Sequence, residues 1–407
     1  MNPQLHRLRV AMLASILRLG GAEKQTVYMA RALLHAGMDL RFFYLGGGGH
    51  YETVLREMGV PVRQIYFPNQ PWKILVTLIA ALSRVQPHIV LASQFGDLRF
   101  GGIAGRCCNA LIVGGVRSNG WYELRTYGWL GRRALRLAHG FVTNSHSARQ
   151  TLTSQGVKSQ KIEVLPNVID LRDFDARSAL PFPDSLPADR VIVAAVGSLR
   201  PCKRFDRFLE ALALARRSET ALAGVIAGAD YAEGRPLLER AKALGLTPPD
   251  LIFLGECERV PALLTRSAML VLTSDYEGFP NVILEAMAAR LPVITTPVGD
   301  AGVIVRHGQS GYVVQPDDPQ SLAAAMVKLA RSPSLRTDLG RAGRKRVEHE
   351  YPYEALLDRL LWVFRRFADR QRKSCLLEML EHGVLVRKTM ANDVAMESSG
   401  PLVSVQP

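Results

Sequence analysis

What most constrains this chain is a repeating pattern. Short apolar runs, each closed by Gly, Ser or Asn, alternate with longer amphipathic stretches, as in βαβ units whose parallel strands are buried on both faces. The pattern runs through twice. In the first half Leu8–Leu13, Leu40–Leu45, Val62–Ile65, His88–Ala92, Ala110–Val116, Phe141–Asn144 and Ile162–Leu165 read as strands, with helices at Ala22–Ala36, Tyr51–Met58 and Trp72–Arg84. From Pro166 to Arg190 the periodicity breaks, with Pro166, Pro181, Pro183 and Pro187 among acidic residues, and this stretch reads as an interdomain linker. The pattern then resumes. Val191–Val196, Ala221–Ala227, Leu251–Leu254, Met269–Thr273, Val293–Thr295 and Gly311–Val314 read as strands, and Phe205–Arg216, Leu237–Leu244 and Pro319–Ala330 as helices. The fold class expected is α/β: two doubly wound, Rossmann-like domains facing across a cleft, with ligands beyond the carboxyl ends of the strands. A chain of 407 residues is long enough for two such cores. Cys375 to Leu380 would extend a helix, and Glu397 to Pro407 reads as disordered.

Charge separates the halves. Residues 1–150 hold 18 Lys/Arg against 6 Asp/Glu, a balance of +12, whereas the remainder holds 33 against 31, only +2. A basic half can face nucleic acid, an anionic membrane or a phosphorylated substrate; no nucleic-acid-binding motif accompanies the charge, so nucleic acid is not expected. Arg132, Arg133 and Arg136, with Trp72, Trp121 and Trp129 among basic residues, suit a protein resting on anionic lipid, although the helix Trp72–Arg84 itself reads rather as a core helix whose apolar positions pack on a sheet. Five cysteines without a CxxC pair argue against a disulfide framework or a zinc site and fit a reducing, cytoplasmic setting. No apolar run has the length of a membrane span, and the N-terminus lacks the form of a signal peptide. The Gly46–Gly49 run lacks the Lys-Ser/Thr of a P-loop and reads as a flexible rim.

The stretch richest in chemistry runs from Ser274 to Met287. It follows a buried strand and opens a helix at about Asn281. Gly278 lets backbone approach a ligand closely, Pro280 suits the start of a helix, and the N–H groups near Asn281 and Val282 would favour a phosphate. Glu277 before the helix and Glu285 in its second turn are spaced to reach different parts of one ligand, a sugar and a ribose. The plain alternative, a solvated loop Glu and an ordinary helical Glu, stands on even terms by spacing alone.

This stretch resembles the E-x7-E signature of glycosyltransferase family 4, retaining enzymes of the GT-B fold. Gly20-Gly21-Ala22-Glu23 is similar to that family's Gly-Gly loop; Asn144-Ser145 and Leu165-Pro166-Asn167-Val168-Ile169-Asp170 to its interdomain hallmarks; and Gly197-Ser198-Leu199-Arg200-Pro201-Cys202-Lys203 to the first loop of its donor domain. Phe253-Leu254-Gly255 and His307–Val314 fall where the family has equivalents, so the agreement runs in order from about residue 8 to about 370. The resemblance implies an N-terminal acceptor domain (1–168), a linker (169–190), a donor domain (191–353), a helix at about 354–372 returning to the first domain, and a tail (373–407). It implies catalytic roles for Glu277 and Lys203, Glu277 on the donor sugar and Lys203 on the diphosphate. Donor contacts would come from Gly21, Ser198, Arg200, Gly278, Phe279, Pro280, Asn281 and Val282, with Glu285 on the ribose. No metal or other cofactor is expected, and Asp173-Phe174-Asp175, although it has the form of a metal-binding DxD, reads as solvated linker acids. The implied reaction moves a sugar from a nucleoside-diphosphate sugar to a cell-surface polysaccharide or lipid-linked glycan acceptor.

Two positions depart from the family. Ser198 stands where an Arg usually meets the diphosphate, and Arg200 is close enough in sequence to supply that charge. Arg117 stands where many members have a His, and is the acceptor-side candidate; it stays protonated and so is no general base, but it can bind a phosphate. A nucleotide-sugar epimerase of the same fold, or a non-catalytic nucleotide-sugar-binding protein, are the competing readings.

Overall fold

The computed structural model describes residues 8–118, 120–182 and 186–381. The expected disorder of Glu397 to Pro407, the Pro183 position and the Trp121 side chain lie outside the described residues. Two all-parallel sheets organise the chain. The first has seven strands, Arg9–Ala14 (β1), Asp39–Tyr44 (β2), Val62–Gln64 (β3), Ile89–Ala92 (β4), Leu111–Val116 (β5), Gly140–Thr143 (β6) and Ile162–Val164 (β7), in the order β3-β2-β1-β4-β5-β6-β7. The second has six, Val191–Val196 (β8), Leu222–Ala227 (β9), Leu251–Gly255 (β10), Met269–Leu272 (β11), Val293–Thr295 (β12) and Gly311–Val313 (β13), in the order β10-β9-β8-β11-β12-β13. Strand order reverses between β1 and β4 and again between β8 and β11. Loops leaving such a pair of strands diverge and open a crevice at their carboxyl ends.

The central strands are buried on both faces, which is why they read as unbroken apolar runs: every residue of β4, β5, β6, β9 and β11 is buried. The helix Gly21–His35 packs its Val27, Met29 and Leu33 on the first sheet. The same cluster takes Leu360, Phe364 and Phe367 of the helix Leu356–Arg370, from the far end of the chain. Gly140 makes that docking possible, because a Cβ there would lie 2.5 Å from the Phe367 ring. Residues 374–381 are helical and add Leu376 and Leu380 to the cluster.

The stretch expected as an irregular linker contains a helix, Leu171–Ser178. Asp170 caps it, accepting from the N–H groups of Arg172 and Asp173 at 3.1 Å each, and Phe174 is buried beneath it. At eight residues it is too short to show a 3.6-residue period. Asp173 and Asp175 are accordingly helical rather than loose: Asp175 forms a two-pronged pair with Arg344 at 2.7 and 2.8 Å. Helices whose buried face is built mainly of small residues also escape the sequence reading, as where Leu98–Cys107 buries Gly101, Gly102, Ala104 and Gly105 beside Leu98 and Phe100. Leu98–Cys107 is rich in glycine, and Gly102 lies against Leu137, where a Cβ would fall 2.7 Å from the neighbouring side chain.

Candidate active site

The strand-order reversal of the second sheet builds the site's floor. The loop after β8 carries Ser198, Arg200 and Lys203, and the loop after β11 carries Ser274 to Pro280 into the helix Asn281–Ala288. These loops are tied together beneath the surface. Thr273 donates its hydroxyl to the Lys203 and Arg204 carbonyls, the Asp275 N–H reaches the Cys202 carbonyl at 2.8 Å, and buried Arg207 reaches Asp275 at 2.5 Å and Asp317 at 2.7 Å. On this base Lys203 Nζ stands 2.6 Å from Glu277 Oε1, which also accepts from Ser274 Oγ at 2.7 Å. The two expected catalytic residues are thus in direct contact.

The other wall comes from the first domain. The helix Gly21–His35 presents its N-terminus to the N-terminus of Asn281–Ala288, so closely that a Cβ on Gly21 would fall 2.4 Å from Asn281 Nδ2. Asn281 and Glu285 are one turn apart and share a face. Asn281 Oδ1 accepts from Gln25 (3.1 Å) and Asn167 (3.0 Å), while Glu285 Oε1 accepts from Lys24 Nζ at 2.8 Å. Burial pushes the Lys24 ammonium down, but Glu285 outweighs it and holds the group above its usual range. Gly278 lies against the Ser118 backbone and Asn144, and its carbonyl accepts from the Asp300 N–H. Asp300 in turn accepts from the N–H groups of His146 and Ser147 across the cleft. These contacts across the seam are all polar.

Not every expected residue joins the centre. Phe279 turns its ring into the core against Tyr351, and only its carbonyl, which takes a hydrogen bond from Asn167, faces the seam. Pro280 precedes the helix and Val282 is half-buried in its first turn. Ser198 uses its carbonyl to accept from the Arg200 N–H. Arg200 is exposed, with its guanidinium 4.2 Å from the Tyr231 ring centre, and its charge is felt by Glu23 opposite. Arg117 tucks its guanidinium against Met29 and Asn167. The sequence reading assigned no site role to Lys24, Gln25 or Asp300. The signal for Lys24 was its place one turn into the helix after Gly20-Gly21, but its partner lies 261 residues away.

Chemically, two helix N-termini and two lysines converge on one crevice. Each N-terminus carries about half a positive charge and N–H groups without intrahelical partners. Two such ends face to face repel unless an anion lies between them. The glutamates beside them have spare oxygens for hydroxyl donors, since Lys24 and Lys203 each hold a single carboxylate oxygen.

The fold places the chain among the GT-B proteins. Anabaena HepE, solved in complex with UDP and glucose, matches with a TM-score of 0.76 over 87% of this chain and 98% of HepE, at 18% identity. The Glycosyltransferase Family 4 model covers residues 19–173, and the model for glycosyl transferases group 1 covers residues 177–346. The chain belongs to glycosyltransferase family 4. N-acetyl-alpha-D-glucosaminyl L-malate synthase of Bacillus anthracis is 26% identical over 232 residues, 56% of this chain and 58% of that protein. D-inositol 3-phosphate glycosyltransferase of Mycobacterium bovis is 30% identical over 247 residues, 57% of this chain and 50% of that protein. The chain spans about half the length of these curated relatives. Among the described residues no helix is long and apolar enough to cross a membrane.

Proposed function

We propose that this chain transfers a sugar from a nucleoside-diphosphate sugar, with retention at the anomeric carbon, to a hydroxyl of a glycan or lipid-linked acceptor. The observation that carries the reading is the convergence of Lys203, Lys24 and two helix N-termini on one crevice flanked by Glu277 and Glu285. A diphosphate leaving group gains negative charge as the glycosidic bond breaks, and fixed donors aimed at that charge stabilise the transition state more than the ground state. Lys203 has three N–H donors, so it can keep Glu277 and still meet a phosphate oxygen. Glu277 orients the sugar hydroxyls, and Glu285, with one oxygen on Lys24, offers the other to the ribose. The acceptor hydroxyl then attacks from the side of the departing phosphate, whose oxygen takes the proton. Uridine is the base we favour, because HepE was solved with UDP.

The acceptor belongs to the first domain in this reading, and an anionic membrane surface is its setting. Trp72 and Trp129 are 62% and 63% exposed, and Lys73 and Arg133 sit over their rings at 5.5 and 4.9 Å. Arg132 and Arg136 lie on the same segment as Trp129. Basic residues beside exposed tryptophans suit anionic headgroups. The test is product analysis: UDP-glucose and other UDP-sugars incubated with lipid extract, followed by proton NMR of the new glycosidic linkage. Axial-to-axial transfer supports the proposal; a product of opposite anomeric configuration, or epimerised donor with no transfer, sinks it.

A further inference from the structure

Arg117 leaves a charge unaccounted for. It follows β5 at the point where the first domain meets the donor-side loop: a Cβ on Gly278 would fall 2.8 Å from the carbonyl of its neighbour Ser118. The residue is only partly exposed, and its guanidinium faces inward. Nη1 is 3.5 Å from Asn167 Oδ1, Nη2 is 2.9 Å from the Met29 sulfur, and Nε is buried without a partner. Among the described residues no carboxylate pairs with it. Other inward-facing arginines differ: Arg207 holds Asp275 and Asp317, and Arg344 holds Asp175 and Glu348. Burial lowers the Arg117 guanidinium to about 10, so it still carries its charge at neutral pH.

A second orphan lies beside it. Asn144, at the end of the adjoining strand β6, donates its amide N–H to the Arg117 carbonyl, while its Oδ1 is buried with no partner. That oxygen points at Gly278, where a Cβ would lie 2.9 Å away. Arg117 and Asn144 thus set a cation without a carboxylate beside a buried acceptor without a donor. An unpaired buried charge is costly, and even buried ion pairs are often replaced by apolar side chains of similar volume with no loss of stability or with a gain.

Building on the transfer reading, we infer that Arg117 and Asn144 form a recognition site for a hydroxylated oxyanion. One of the two reactants carries a carboxylate or phosphate that Arg117 binds, with a neighbouring hydroxyl donating to Asn144 Oδ1. The class is a sugar acid or a polyol phosphate. A His at position 117 would carry this charge only when protonated, whereas an Arg carries it throughout the physiological range and grips planar oxyanions in two-pronged fashion.

Thermal shift on the whole chain tests this with wild type, Arg117→Met and Arg117→Lys. UDP-glucose, UDP-glucuronate, and UDP with glycerol 3-phosphate or with glycerol serve as probes. Ligand-free Arg117→Met is expected to melt at or above wild type. UDP-glucose should stabilise all three proteins alike. In wild type an anion adds a further shift, which Arg117→Met loses and Arg117→Lys keeps in part. A gain from UDP-glucuronate places the oxyanion on the donor sugar, and one from glycerol 3-phosphate places it on the acceptor. No anion-specific gain in wild type, or the same gain in Arg117→Met, overturns the inference. Should Arg117→Met fail to fold, a gain undiminished in Arg117→Lys overturns it equally. A missing shift with UDP-glucose and UDP-glucuronate alike overturns the uridine-donor reading of the proposed function instead.

Discussion

The two strand-order reversals of this molecule occupy equivalent places and carry opposite chemistry. In the second domain the loops after β8 and β11 bring together Lys203 and Glu277, a cation and a carboxylate 2.6 Å apart and partly open to the cleft. In the first domain the loops after β1 and β4 bring together Ser15 and Asp97, whose carboxylate accepts from the serine hydroxyl and from the Gln94 N–H and is fully buried. Beside it Glu23 accepts from the Gln94 amide. Topology decides where each crevice opens; the side chains decide what it holds. The second crevice presents cations and helix N–H groups, which suit the diphosphate of the proposed donor, while the first presents the Ser15 hydroxyl, the Gln94 amide and the Glu23 carboxylate over a buried Asp97.

The largest effect should come from removing the cation. Lys203→Ala is expected to lower kcat by about 100-fold, the usual scale for losing one donor to developing charge, and steady-state turnover of UDP-glucose would measure it. An unchanged kcat would erase the contrast between the two crevices. A smaller effect belongs to the buried acid. Burial pushes the Asp97 carboxyl up to about 7 from its ordinary 3.8, against the hydrogen bonds from Ser15 and Gln94 and the charge of Arg99, and with the charge of Glu23 adding to the rise. Between those values the folded chain keeps a proton that the unfolded chain has released, so this contribution is full below about 3.8 and is lost as pH rises through 7. Asp97→Asn should therefore flatten the decline in melting temperature between pH 5 and 8; an identical pH profile in the variant would show the acid to be ordinary. The smallest change is expected from Arg200→Ala. Its guanidinium rests on Tyr231 at the surface, so we expect turnover to fall less than about threefold, in line with exposed cation–π contacts. A loss near that of Lys203→Ala would instead make Arg200 the replacement for the missing charge at Ser198.

Much of this architecture is legible in the sequence because parallel strands buried on both faces must be continuous apolar runs, as Leu111–Val116 and Val191–Val196 are. Short capped helices such as Leu171–Ser178 are not, since a single buried Phe174 makes no period. Lys203 and Glu277 were legible as candidates through the family resemblance, and their contact needed the fold. The pairing of Lys24 with Glu285 and the Asp300 cap on His146 and Ser147 join residues more than 150 positions apart, and nothing local to either partner announces the other. Arg117 was visible as a departure from the family. That no carboxylate among the described residues pairs with it is visible only in three dimensions.

Calorimetric titration of UDP into the wild type and into Lys203→Ala tests the central claim most directly. If the facing helix ends and lysines form a diphosphate site, the wild type binds UDP and the variant binds it at least about tenfold more weakly, the scale of one charge-assisted hydrogen bond. Equal affinity in both proteins, or no binding to the wild type, would contradict a donor site in this crevice.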